Sequence, residues 1–107
     1  DRTVLLEKEA QTLIDQRQWK NLSEHCSAWK REDERNAAAW SCYGRARHEL
    51  ADYSGAITSL KRAVLLAPQN DDIRGLLKNA SLVDMQQKQL RKRIDADQNR
   101  QAGSVGG

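Results

Sequence analysis

Proline and glycine, the residues that most often form tight turns, are scarce in the body of this 107-residue sequence. Proline occurs once, and three of the six glycines fall within the last five residues. The remaining turn formers are too few for a domain built of short strands and loops. Alanine, leucine, glutamine, glutamate, lysine and arginine, which favour helices, occupy much of the chain instead. The composition predicts an all-α protein.

Long apolar runs are missing as well. The longest, such as residues 63–67, are far shorter than the roughly 18 residues that a membrane-spanning helix needs. No signal-peptide pattern follows the start of the sequence. We therefore expect a soluble domain without a membrane span. The compartment stays open, with the cytoplasm slightly favoured over the periplasm. Because the sequence does not begin with methionine, we expect it to be part of a longer protein.

The charges are mixed, and 18 basic and 15 acidic residues give a net charge of +3. Residues 88–93 form the one dense basic stretch, and no aromatic residue follows Tyr53. A surface that binds nucleic acid combines a broad basic stripe with aromatic side chains on which bases stack. We therefore interpret the basic stretch as a solvated helix face, and a nucleic-acid accessory domain that uses residues 88–93 is the weakest of the alternatives.

The two cysteines and two histidines do not form a pattern that binds metal or supports catalysis. The sequence contains neither a C-x-x-C nor an H-x-x-x-H pair, and no glycine-rich elbow exposes a nucleophilic thiol. Phosphate-binding and dinucleotide-binding loops are missing too. We expect no metal, no cofactor and no enzymatic activity. Cys26 and Cys42 fall at apolar helix positions, so we expect two buried thiols, with a disulfide between them as the alternative.

A period of roughly 34 residues organises the chain. At this offset Leu6 aligns with Trp40, and Trp19 aligns with Tyr53. Apolar residues recur at helical spacing within each copy, and Asn36 is a good N-cap for one of the helices. The predicted helices cover residues 3–16, 19–30, 36–50, 53–67 and 71–95. They form two units, about 3–36 and 37–70, and a capping helix at 71–95, within a domain of residues 1–97 that is followed by a flexible tail at 98–107.

The second unit resembles the tetratricopeptide repeat. The positions that carry the resemblance are Trp40, Tyr43, Gly44, Tyr53, Ala56, Leu60, Ala63 and Pro68. Tyr43 stands where the family usually has leucine, and Arg47 stands where it usually has tyrosine. The resemblance implies an α-solenoid of helix-turn-helix repeats, about two and a half of them, with a C-terminal capping helix.

Small residues in this pattern let the two helices of a unit approach closely. Gly44 on the first helix and Ala56 on the second are expected at the crossing, with Trp40 and Leu60 filling the space around it. We therefore expect Gly44→Leu to be severely destabilising. Gly44→Ala is expected to be mild, because alanine favours the helix.

The resemblance also implies a scaffold for protein complexes. In this family the first helices of successive units line a concave surface that suits an extended peptide or a partner helix. Arg45 is the expected polar anchor, on a helix face that should not be buried. The residues expected to contact a protein or peptide ligand are Glu7, Gln11, Ser41, Arg45, His48 and Asn79.

An oligomerisation or docking module within a larger parent protein is the alternative function. In that case the terminal helix and Trp29 would contact a second copy of the chain, forming a homo-oligomer, or the rest of the parent. If the chain is instead a peptide-binding scaffold, we expect Trp29 to belong to the core.

Overall fold

Residues 2–105 fold into five helices. A computed structural model describes the backbone of residues 2–105 and the side chains of residues 2–100. No strand occurs within these residues, which confirms the all-α prediction, and the first four helices begin and end close to their predicted bounds. The helices are α1 (Arg2–Asp15), α2 (Trp19–Glu32), α3 (Ala37–Glu49), α4 (Tyr53–Leu66) and α5 (Asp71–Val105).

Polar side chains fix the starts of the last three helices. The side-chain oxygen of Asn36 accepts from the amide of Ala38 at 3.0 Å, at the start of α3. The Asp52 carboxylate and the Asn70 amide oxygen do the same at the starts of α4 and α5, over 3.0 and 3.1 Å. Each bond satisfies an amide that has no partner within its own helix.

The turns after α1 and α3 have the same backbone conformation. Arg17 and Ala51 lie one sequence period apart, and both have positive φ, at 54° and 64°. In each turn the next amide donates to a carbonyl five residues earlier, over 2.9 Å after α1 and 2.8 Å after α3. The residues that follow α2 and α4, Asp33 and Ala67, also match, with φ of −137° and −139°. These turns therefore recur at the spacing found in the sequence.

Each helix packs mainly on its neighbours in the sequence, and α5 also touches α3. Because short turns reverse the chain direction, α1, α3 and α5 run parallel to one another. One core lies among the first three helices and includes Leu22 and Trp29, which are fully or almost fully buried. A second core joins α4 to α5 through Ala56, Leu60 and Ala80. Trp29 thus belongs to the core, and the expectation that it is a core residue is confirmed.

Gly44 is a point of close contact between α3 and α4. A β-carbon built on Gly44 would lie 2.6 Å from Cγ of Leu60 and 3.3 Å from the carbonyl oxygen of Ala56. The residues predicted at the crossing are therefore in contact. This contact opposes the expectation that Gly44→Ala would be mild, because the added methyl group would overlap Leu60 unless the leucine shifts.

Trp40, which was expected to fill the space around this crossing, belongs to neither of the two cores. Its ring is half-buried, and its indole N–H donates to the carbonyl of Glu34 at 2.7 Å. Leu60 and Ala56, with 1% and 0% of their surfaces exposed, lie at the crossing.

A disulfide joins Cys26 on α2 to Cys42 on α3, and their Cα atoms lie 5.7 Å apart. The expectation of two buried thiols is therefore wrong, and the alternative holds. The two cysteines are 16 residues apart in sequence, on facing sides of antiparallel helices. This bond links the first helical pair to the second.

Arg47 connects three helices at once. Its Nε donates to the carboxylate of Asp52 at 2.9 Å, and its Nη1 donates to Oγ of the buried Ser23 at 3.2 Å. The hydrogen bond from the amide of Gly55 is the largest cause that lowers the pKa of Asp52 below its ordinary value of 3.8. The guanidinium of Arg47 lowers this pKa further. Arg47 therefore ties α2 to the start of α4.

Polar contacts also hold α1 against α2. Nε2 of His25 lies 3.0 Å from the carbonyl oxygen of Leu6, and Arg2 pairs with Glu32 at 2.9 Å. The first pair is largely shielded from water, whereas the second is exposed. These contacts set the position of the helix that forms one wall of the groove described below.

The last helix is longer than predicted. It continues without a break from Asp71 to Val105, past the predicted end at residue 95 and into the stretch assigned to a flexible tail. Gly106 and Gly107 lie outside the described residues. Residues 85–100 are exposed, so local helix propensity accounts for this part of α5 better than packing does. None of the helices described is long and apolar enough to cross a membrane.

Candidate partner-binding groove

A groove with a volume of about 330 Å³ opens between α1, α3 and α5. Its apolar lining consists of Ala10, Ile14, Trp29, Ala38, Cys42, Ile73 and Leu76. Its polar lining consists of Glu7, Gln11, Ser41, Arg45, Asn70 and Asp72. An apolar surface with several polar groups around it is the usual composition of a site that binds a peptide or small molecule.

Four of the six residues predicted to contact a partner lie in this groove. They are Glu7, Gln11, Ser41 and Arg45. They share one surface because α1 and α3 are parallel and the residues occupy matching positions one period apart. The other two, His48 and Asn79, are not part of the lining.

His48 lies at the junction between α3 and α4. Its ring packs edge-on against that of Tyr53, with the centroids 5.3 Å apart and the planes at 70°. Nδ1 of this histidine is buried without a hydrogen-bond partner. Asn79 is exposed on α5.

Arg45 is half-buried, although its side of α3 was not expected to be buried. Its guanidinium carbon lies 5.9 Å from the centre of the Trp19 ring, a separation at which the cation and the ring attract each other. No carboxylate among the described residues, Glu49 included, forms an ion pair with it. The ring therefore orients the guanidinium while its charge stays available to a ligand.

Gln11 can offer a ligand the acceptor Oε1 and the second N–H of Nε2. Its Nε2 donates to the carboxylate of Asp15 at 2.8 Å, whereas Oε1 has no such contact. An amide oxygen held in this way can accept from the backbone N–H of a peptide.

An acidic and a basic side chain lie toward different ends of the groove. Asp72 lies in the first turn of α5, and Arg45 lies in the third turn of α3. Because these helices run in the same direction, the carboxylate and the guanidinium lie toward opposite ends. This distribution suits a ligand with charges of both signs.

Sequence reasoning did not select Asn70, which lines the groove and also caps α5. The signal was available, since Asn70 lies one period after the N-cap Asn36.

Trp29 also lines the groove, although it is almost entirely buried. Its indole nitrogen has no acceptor among the described residues. Its position depends on how α2 packs, which periodicity does not reveal.

No group of three or more metal-ligating side chains occurs in the part of the chain that the structure describes. No protein-family model matches the sequence, and no curated protein matches it.

Proposed function

We propose that the chain is a tetratricopeptide-like interaction module that binds a peptide or partner protein in the groove between α1, α3 and α5. The groove itself is the observation that carries the proposal, because it combines an apolar base with an oriented arginine and amide acceptors. The recurrence of the turns at the sequence period supports the assignment to repeats of this kind. The module acts by binding and not by catalysis.

Selection of displayed peptides on the immobilised protein, followed by calorimetry with the selected synthetic peptides, tests this function. Ser41→Trp places a large side chain in the groove and should weaken binding at least tenfold. Lys8→Trp is the matched control, because Lys8 is exposed on α1 and does not line the groove. Binding that survives Ser41→Trp, or a selection that yields no peptide, contradicts the proposal.

Self-association through α5 is the second candidate function. Val83, Leu90 and Ile94 follow one another along α5 at the spacing of a coiled-coil seam. Leu90 and Ile94 are 52% and 48% exposed, so the seam has no partner within the described chain. Light scattering should then report a dimer that Leu90→Ser with Ile94→Ser converts to a monomer. A monomeric wild-type protein at high micromolar concentration rules this function out.

A further inference from the structure

A second concave surface lies on the opposite side of α3 from the groove. It is built around Trp40 and has a volume of about 570 Å³. We call it the Trp40 surface, and its lining consists of Glu34, Trp40, Thr58, Lys61, Arg62 and Leu65. It shares no residue with the groove.

The Trp40 ring is a fixed wall of this surface. The hydrogen bond from its indole N–H to the carbonyl of Glu34 holds the ring in place. Nζ of Lys30 lies 4.8 Å and the guanidinium carbon of Arg62 lies 5.9 Å from the centre of the ring. Two cations therefore approach the same indole ring, where its π electrons attract them.

The positive charge at this surface is not neutralised. Neither Lys30, Lys61 nor Arg62 forms an ion pair with any carboxylate among the described residues. Glu34 is the one acid in the lining, so cations outnumber carboxylates there. A surface of this kind attracts acidic groups, and contacts with carboxylates would satisfy the lysine and arginine donors.

An exposed apolar side chain lies beside these cations. Leu65 is 76% exposed, the largest exposed fraction among the large apolar residues of the described chain. Together with the Trp40 ring, Leu65 forms an apolar surface that is exposed to water. Covering this surface with an apolar side chain of a ligand would favour binding. Aromatic and arginine side chains in such surroundings are the common anchors of protein interfaces.

We propose that the Trp40 surface binds an acidic peptide segment that carries an apolar side chain. The apolar side chain packs between Trp40 and Leu65, and flanking carboxylates pair with Lys61 and Arg62. A peptide fits this surface better than an anionic membrane does. Leu65 is the one exposed large apolar residue in the lining of this surface, whereas membrane binding needs a whole apolar helix face. Glu34 would also repel lipid phosphates.

Two pools of synthetic nine-residue peptides serve as the probe. The first pool has a central leucine flanked by aspartate and glutamate, and the second has asparagine and glutamine in place of the acids. Fluorescence anisotropy measures affinity, and the indole N–H resonances of the ¹⁵N-labelled protein report which tryptophan responds. The acidic pool should bind at least tenfold more tightly than the amide pool, and it should shift the Trp40 resonance more than those of Trp19 and Trp29.

Matched variants separate local recognition from general charge attraction. Lys61→Glu with Arg62→Glu should weaken binding of the acidic pool at least tenfold. Lys78→Glu with Lys92→Glu changes the net charge equally at exposed positions on α5, and it should change affinity less than twofold. Leu65→Ser, which leaves every charge in place, should also weaken binding severalfold.

Three results would overturn the proposal. The first is an equal loss of affinity in both charge-reversed proteins, which would indicate nonspecific attraction. The second is a response of Trp29 or Trp19 in place of Trp40, which would place the peptide in the groove. The third is binding to phosphatidylserine vesicles, but not to the acidic peptides, that depends on Lys61 and Arg62.

Discussion

Gly44 lies directly against Leu60, so that a β-carbon on the glycine would come within 2.6 Å of Cγ of the leucine. Leu60 is buried, and the backbone carbonyl oxygen of Ala56 lies 3.3 Å from the added carbon, so the methyl group can fit only if the buried leucine shifts. Gly44→Ala should therefore lower the free energy of unfolding by about 1–3 kcal/mol, despite the gain of roughly 1 kcal/mol in helix propensity. Chemical denaturation measures the change.

Gly75→Ala is the control for this prediction. Gly75 lies in α5, and a β-carbon there would meet nothing within 4 Å. The variant should be as stable as the wild type or more stable by up to about 1 kcal/mol, since alanine favours the helix. Equal effects of the two substitutions would show that α3 and α4 do not make their close contact at Gly44.

The Cys26–Cys42 disulfide should contribute measurably to stability. It closes a loop between residues 16 apart, for which a bond of this kind stabilises by roughly 3 kcal/mol. Reduction should therefore lower the melting temperature of the wild type. The double variant Cys26→Ala with Cys42→Ala should melt at one temperature with or without reductant. Two reactive thiols in unfolded, unreduced protein would argue against the bond.

The carboxylate of Asp52 should make stability depend on pH in the acidic range. The amide of Gly55 and the guanidinium of Arg47 favour its ionised form and lower its pKa in the folded protein. A group with a lowered pKa stabilises the fold above its unfolded pKa, here 3.8, and the effect is lost as the pH falls through the lower, folded pKa.

Comparing Asp52→Ala with the wild type tests this dependence. The variant should lose about 1 kcal/mol at pH 7, where the N-cap is charged, and the difference should shrink toward pH 2. Asp97→Ala, at an exposed position on α5, should match the wild type throughout. A difference between Asp52→Ala and the wild type that is independent of pH would assign the loss to helix propensity alone.

Arg45→Glu should separate binding from folding at the groove. Losing the contact with Trp19 should cost roughly 0.5–1 kcal/mol of stability. The affinity for groove-selected peptides should fall tenfold or more, about 1.4 kcal/mol. Arg93→Glu, exposed on α5, is the control and should bind as the wild type does. If Arg45→Glu binds fully, the arginine is not the polar anchor of the groove.

Local sequence determined the helices and their caps. Apolar spacing and the N-cap Asn36 act within a few residues, so they predict the bounds of the first four helices. The cap formed by Asp52 was found only in the structure. The period of the sequence also predicts that Glu7 and Ser41 lie on one surface, because parallel helices of equal repeat length bring matching positions together. The full length of α5 was not predicted, because residues 85–100 are exposed and have no buried face whose apolar spacing would indicate a helix.

Tertiary packing decided the rest. The disulfide, the position of Arg45 over Trp19 and the place of His48 against Tyr53 all depend on the distance and rotation between neighbouring helices. Periodicity determines which face of a helix is apolar, but not which residue of the next helix lies opposite a given side chain. Trp40 shows the difference: its place in the repeat pattern was plain from the sequence, whereas its half-exposed position among Lys30 and Arg62 follows from how α2 and α4 pack around α3.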